Sequence, residues 1–163
     1  MREMRRSDRL ITDVEEIKTI LDSVKFLHCG LFDEEYPYVV PLHYGYEYDD
    51  ENDKWTFYMH GAPEGKKVDL IKQNGKVCLQ IDTDVIPVDG GEVACMHGAL
   101  FKSVMAFGHA RLLETPEEKI AALQVLMTHQ VGREFPFNEK MVGYVAVIKV
   151  EVDTLTAKAK LTP

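Results

Sequence analysis

The chain passes from a strand into a helix within one stretch, Phe57-Tyr58-Met59-His60-Gly61-Ala62-Pro63-Glu64-Gly65-Lys66-Lys67. Residues up to His60 favour a strand, and the glycines and proline that follow interrupt it. Lys66 and Lys67 then begin a short helix, predicted over residues 66–74, with Gly75 as its left-handed stop. A helix N-terminus presents unpaired N–H groups, so two lysines there suit a phosphate monoester. Spacing alone leaves a second interpretation open, in which both lysines are solvated surface charges.

The same stretch carries a candidate acid–base residue. Strand alternation places Tyr58 and His60 on one face, and Phe57 and Met59 on the other. An imidazole, with an ordinary pKa of about 6.5, can hydrogen-bond a substrate or exchange a proton near neutral pH. A purely structural His60 is the alternative, and position on the strand does not decide between them.

Strand signals surround this stretch on both sides and predict a mainly β fold. The segments 24–32, 36–48 and 54–60 are joined by short turns and read as an antiparallel meander. Further strands are predicted over 76–82, over 100–113 with a bend near Gly108, and over 142–152. Short helices are predicted over 13–22 and from the Thr115-Pro116 capping signal to about Gln130. This order predicts a small six-stranded antiparallel barrel with a few flanking helices. Residues 83–98 are predicted to form one long loop.

The composition of the chain argues against several classes of function. The chain has 163 residues, which fits one domain. It carries 19 Lys and Arg against 27 Asp and Glu, a net charge of −8, which argues against a nucleic-acid partner. Three sparse cysteines indicate a reducing compartment, and no apolar run predicts a signal peptide or membrane span. We therefore expect a cytoplasmic protein with no membrane partner.

Two further patterns concern ligands. The strand segment Val40-Pro41-Leu42 contains a proline that interrupts pairing, and exposed backbone there can hydrogen-bond a planar heterocycle. The alternative is an edge strand protected against aggregation. His28-Cys29 and Cys95-Met96-His97 hold ligand-type residues without a paired zinc pattern, so no metal site is predicted.

Five blocks in order along the chain carry a family resemblance. They are Met4-Arg5-Arg6-Ser7-Asp8-Arg9 with Thr12-Asp13, Pro37 to Leu42 with Tyr44-Gly45, Phe57 to Ala62 with Gly65-Lys66-Lys67, Ser103-Val104 with Phe107 to Ala110, and Glu117-Glu118-Lys119 with Ala122-Leu123. Together these blocks resemble the pyridoxamine 5′-phosphate oxidase-like FMN-binding split barrels, in particular their nitroimidazole-resistance branch.

The resemblance implies a six-stranded split β-barrel over residues 1–163, with an N-terminal arm at 1–11. It further implies a homodimer that binds FMN in two equivalent clefts between the subunits. The implied FMN-binding residues are Val40, Pro41, Leu42, Tyr58, His60, Lys66, Lys67 and Ser103. The lysines would hold the phosphate, Ser103 would contact the phosphate or the ribityl chain, and His60 would be the catalytic residue. The arm at Arg5-Arg6 would reach the cleft or the partner subunit. Residues 83–98 depart from the family pattern and have no counterpart in it, and as a loop they would cover the flavin and select what enters.

The function implied is a reductase of small molecules, such as a nitroaromatic compound or a small oxo-acid. Two alternatives stay open: a haem-binding or haem-degrading barrel with an axial ligand among His43, His97 and His109, and a flavin-binding module without enzyme activity. The substrate-binding pattern of the oxidase branch is missing, so oxidation of pyridoxamine phosphate is not expected. Ala157 stands where relatives often carry glycine before the lysine, so no role is assigned to Lys158.

Overall fold

The computed structural model describes residues 5–162. Its strands are β1 (Leu10–Ile11), β2 (Phe26–Leu31), β3 (Tyr38–Asp49), β4 (Lys54–Gly61), β5 (Lys76–Val88), β6 (Gly98–Leu112) and β7 (Ala146–Lys160). Its helices are α1 (Val14–Asp22), α2 (Lys66–Gln73), α3 (Pro116–Val131) and α4 (Glu139–Val142), with short 3-10 segments at Ser7–Arg9 and Ala94–Met96. Met4 and the start of the predicted arm lie outside the described residues.

Six strands close into an antiparallel barrel. Their order is β7-β4-β3-β2-β5-β6, and β6 pairs again with β7 to complete the ring. The short strand β1 adds to the outer side of this ring through Leu10 and Ile11, which pair with Lys158 and Ala157 of β7. The predicted six-stranded barrel is confirmed.

The barrel interior is filled by alternate side chains of every strand, closed at one end by α1. Tyr44 and Phe57 are fully buried at its centre, with ring centroids 5.8 Å apart. The Tyr44 hydroxyl donates to the backbone oxygen of Leu21 at 2.7 Å, which satisfies the one polar atom of that side chain. Ile20 and Leu21 of α1 are likewise buried in this cluster.

Helix α3 lies across the outside of the barrel. Thr115 and Glu118 form the predicted capping box at its start, and Pro116 occupies its first turn. The helix crosses β3 at Gly45, where an added Cβ would lie only 2.5 Å from the Cα of Leu126. Glycine is therefore required there by the close approach of helix and strand.

The segment at 83–98 differs from the prediction. Strand β5 continues to Val88 and β6 begins at Gly98, so only residues 89–97 form a turn. The pairing skips between Thr83 and Ile86, where Asp84 has a φ of 55°. Because of this bulge and Pro87, the sequence shows no regular strand alternation beyond Asp82. The result is a two-stranded hairpin that projects past the barrel.

Two smaller differences lie near the C-terminus. Strand β7 runs from Ala146 to Lys160, well past the predicted end at Val152, and the single-turn helix α4 was not predicted. The predicted bend near Gly108 is confirmed as an irregularity in pairing between Phe107 and Gly108. Within residues 5–162, no helix is both long and apolar enough to cross a membrane.

Candidate functional site

His60 lies near the end of β4 on the outer face of the barrel. The register that pairs Tyr44 with Met59 places His43 beside His60, and Val147 of β7 lies on the other side. Burial lowers the pKa of His60 below its usual value of 6.5, and the positive charges of His43 and Lys67 lower it further. At pH 7 the imidazole is therefore neutral, with one ring nitrogen as donor and the other as acceptor.

The loop after β4 carries the two lysines into different surroundings. Gly65 has a φ of 122°, a conformation that favours glycine, and the helix α2 begins directly after it. Lys66 turns away and pairs with Asp33 at 2.5 Å, with its ammonium 5.3 Å from the ring centre of Tyr38. Lys67 instead lies along β4, because a Cβ added to Gly61 would be 2.5 Å from its Cε and 2.7 Å from its Nζ.

Lys67 is therefore the lysine that shares a surface with His60. The Lys66 charge is already compensated by a carboxylate, whereas the Lys67 charge is close enough to depress the pKa of His60. An anion held at the start of α2 would meet Lys67 and the unpaired N–H groups of the first helical turn.

The β3 residues of the predicted site divide between the two faces. Val40 and Leu42 point inward and pack against the core, while Pro41 is exposed on the outer face. Only the backbone of Val40 and Leu42 can therefore meet a ligand outside the barrel. Tyr58 points outward, donates its hydroxyl to Glu47 at 2.8 Å and packs on the cluster beneath α3.

Ser103 is not brought near the other predicted residues. It lies on the outer face of β6, between Asp82 of β5 and Lys158 of β7. Through β5, β2 and β3, four strand spacings separate Ser103 from β4, a path of roughly 19 Å at the usual spacing. Through β7 only two spacings intervene, but Ser103 pairs with Lys158 and His60 with Val147, eleven residues apart along that strand. One barrel therefore does not place Ser103 beside Lys67.

The outer face of β2, β3, β5 and β6 carries exposed apolar side chains among charged ones such as Lys76 and Asp82. Phe26 is 50 % exposed, Val39 57 % and Met105 39 %. An open groove of about 530 Å³ lies on this face, with Gly30 and Cys78 among its lining residues. Uncovered apolar side chains clustered on a sheet face are typical of surfaces that contact another molecule. The sequence did not reveal this surface, because alternation alone does not say which face is inside.

The other candidate ligands are separated. His97 bonds the backbone oxygen of Gly91 at 3.0 Å, and His109 lies 3.0 Å from a carboxylate oxygen of Asp153. Both therefore stabilise local structure at positions distant from His43. In the part of the chain that the structure describes, no group of three or more metal-type ligands comes together.

A second groove of about 830 Å³ lies between α1, β3 and α3. His129 lines it, with its Nε2 3.1 Å from the backbone oxygen of Val24 and its ring centre 4.6 Å from that of Tyr44. Burial lowers the pKa of His129. These contacts attach the end of α3 to the barrel.

Comparisons with known proteins agree with this architecture. Residues 13–159 match the pyridoxamine 5′-phosphate oxidase family. The structure is similar to that of a "putative 5-nitroimidazole antibiotic resistance protein" from Bacteroides thetaiotaomicron, with 32 % identity over 92 % of this chain and 86 % of that chain and a TM-score of 0.78. It also shares its fold with the flavocytochrome Anf3 from Azotobacter vinelandii, with 23 % identity over 99 % and 73 % of the two chains and a TM-score of 0.79. A FAD-binding protein from Mesorhizobium loti has 22 % identity over 93 % and 97 %, with a TM-score of 0.60. Among curated proteins, no match is found.

Proposed function

The chain belongs to the pyridoxamine 5′-phosphate oxidase family, and on this premise we propose that it is an FMN-dependent reductase of small molecules. The observation that carries the proposal is the convergence of Lys67, the start of α2 and His60 at the end of β4. Similarity to a protein named for 5-nitroimidazole resistance supports nitro compounds as one class of acceptor. Flavin-binding relatives with the same fold support the cofactor.

The residues present fit the phosphate end of FMN. The first turn of α2 offers backbone N–H donors, and Lys67 adds a positive charge that no carboxylate compensates in the part of the chain described. Lys66 is a weaker contact because it first has to leave Asp33. Residues 38–43 of β3 pair with β2 but not with β4, so the free edge of their backbone provides N–H and C=O groups for a planar ring.

His60 has the properties needed to orient an acceptor next to the flavin. When bound, FMN supplies the electron transfer. The neutral His60 imidazole donates or accepts a hydrogen bond at pH 7 and is half-buried between Val147 and the neighbouring strand. Tyr58, two residues earlier on the same face of β4, is held by its hydrogen bond to Glu47.

The uncovered apolar face supports the homodimer. A second copy on this face would remove Phe26, Val39 and Met105 from water. It would also allow Ser103 of one barrel to approach a cofactor held by Lys67 of the other, which a single barrel does not do. We therefore propose that each cleft takes residues from both copies.

The decisive experiment is reconstitution. Purified protein incubated with FMN is expected to acquire a flavin absorption spectrum and to bind FMN at least tenfold more tightly than riboflavin, because riboflavin lacks the phosphate. Anaerobic protein reduced with dithionite should reoxidise when a nitroimidazole is added, and it should elute as a dimer. A protein that stays colourless refutes the proposal. A Soret band after haem addition would instead favour the haem alternative, and bound FMN that transfers electrons to no acceptor would favour the non-enzymatic module.

A further inference from the structure

The first residue of α2 has its charge compensated by a carboxylate from a distant part of the sequence. The Lys66 ammonium pairs with an oxygen of Asp33 at 2.5 Å and lies 5.3 Å from the ring centre of Tyr38. Asp33 belongs to the connection between β2 and β3, and its side chain is 19 % exposed, whereas that of Lys66 is 55 % exposed. Lys66 is therefore the partner that has room to move.

Both groups of this pair are charged at neutral pH. The hydrogen bond from Lys66 lowers the pKa of Asp33, and the hydrogen bond to Asp33 raises the pKa of Lys66. Three further carboxylates surround the helix start: Glu35 adds negative charge near Lys66, Glu64 is exposed in the loop before α2, and Asp69 lies in the first helical turn. Of these acidic groups, Asp33 is the one in an ion pair with Lys66.

The same lysine belongs to the start of α2, where the proposed phosphate site lies. The amides of the two residues after Lys67 both donate to the backbone oxygen of Gly65, at 2.9 and 3.2 Å. The preceding amides, of Lys66 and Lys67, have no acceptor within the helix and suit an anion. Because the Lys66 side chain starts at one of these amides and has a flexible four-carbon stem, its ammonium can face either Asp33 or an anion bound there.

We propose that Asp33 is an internal competitor of the FMN phosphate, which holds Lys66 in the absence of cofactor and releases it when FMN binds. This inference rests on the proposed FMN-binding function. A carboxylate and a phosphate repel each other, so separating Lys66 from Asp33 weakens FMN binding. Asp33 therefore sets how readily the cofactor is taken up and released, while Lys67 and the helix amides supply the attraction.

The test compares titrations of flavin-free wild type and Asp33→Asn with FMN and with riboflavin, followed by flavin fluorescence at one ionic strength. The substitution removes the charge and keeps the size of the side chain. We expect the Kd for FMN to fall about two- to fivefold, the range of one exposed ion pair. The Kd for riboflavin should stay unchanged, because riboflavin has no phosphate. Asp33→Ser should give the same gain, and the melting temperature of each variant verifies that it is folded.

Two controls assign the gain to the released lysine. Glu34→Gln removes the same charge from the neighbouring, exposed residue and should leave the Kd for FMN nearly unchanged. In the Lys66→Ala background, Asp33→Asn should tighten FMN binding less than it does in the wild type, because the ammonium that it would release is gone.

Unchanged or weaker FMN binding in folded Asp33→Asn would overturn this inference, since Asp33 would then play no part or would orient Lys66 toward the phosphate. An equal gain with and without Lys66, or in Glu34→Gln, would also overturn it, because the carboxylate would then act through its long-range charge alone. If the expected FMN affinities are found but no acceptor is reduced, only the proposed reductase activity is refuted. A wild type that binds no FMN refutes both.

Discussion

Replacing Gly61 by alanine is expected to weaken FMN binding without weakening the fold. The new Cβ would lie 2.5 Å from Cε and 2.7 Å from Nζ of Lys67, against 3.4 Å for the shortest ordinary contact. The φ of Gly61 is not in the left-handed region, and the obstructing atoms are the far end of a flexible side chain. The lysine can therefore move away at little cost, but its Cε has to shift by about 0.9 Å and its ammonium nitrogen by about 0.7 Å.

The size of the effect follows from that shift. Moving a unit charge from about 2.8 Å to about 3.5 Å from a phosphate charge loses about 1.2 kcal/mol at an effective dielectric constant of about 20. That is about a sevenfold increase in Kd. Fluorescence titration with FMN and with riboflavin measures the two dissociation constants, and only the Kd for FMN should change.

A double-mutant cycle with Lys67→Ala tests the reasoning. In the Lys67→Ala background, Gly61→Ala should have no further effect on FMN binding, because the displaced group is already gone. Lys66→Ala should raise the Kd for FMN less than Lys67→Ala, since Lys66 is paired with Asp33. If Gly61→Ala weakens FMN and riboflavin equally, or lowers the melting temperature by several degrees, the assignment of Lys67 to the phosphate is wrong.

Three other predictions concern stability and reactivity. Gly45→Ala should cost about 1–3 kcal/mol of unfolding free energy, because its Cβ meets the backbone of α3 at 2.5 Å; thermal unfolding measures this, with Gly98→Ala as a near-neutral control that meets only a lysine tip at 3.3 Å. Because the pKa of His129 is lowered by burial, the unfolded chain binds its proton more tightly. The free energy of unfolding should therefore fall as the pH drops from about 6.5 toward the lowered pKa, and urea titrations between pH 7 and pH 5 should show a weaker decline in His129→Gln. Cys95 is exposed, whereas burial raises the pKa of Cys29 to about 12. A thiol reagent should modify Cys95 first and leave Cys29 unreacted until the protein unfolds, and a fast phase that persists in Cys95→Ser would contradict this.

Local signals in the sequence predicted much of the fold. The capping box at Thr115 and the left-handed stop at Gly75 each depend on neighbouring residues alone, and both are present. Strand β5 beyond Thr83 was missed because its continuation depends on pairing with β6 across a bulge. Long-range pairing of this kind leaves no periodic signal in either strand.

The same distinction between local signals and long-range contacts applies to the candidate site. The relation of His60 to the start of α2 is local and was predicted from one stretch of sequence. The pairing of Lys66 with Asp33 and the inward direction of Val40 and Leu42 depend on contacts between distant segments. The same holds for the place of His43 beside His60, which only the register of β3 and β4 determines.

The position of β7 has a consequence for synthesis of the chain. β7 is the last of the six barrel strands in sequence order, yet it pairs with β4 on one side and β6 on the other. Until residues 146–160 have left the ribosome, the nascent chain can form only an open sheet. Its two edge strands, β4 and β6, then lack a hydrogen-bonding partner on their outer sides. Open edges recruit foreign strands, so we expect the chain to need a chaperone most in the interval before β7 emerges. Truncated translation products ending before Ala146 should aggregate even though they contain five of the six barrel strands.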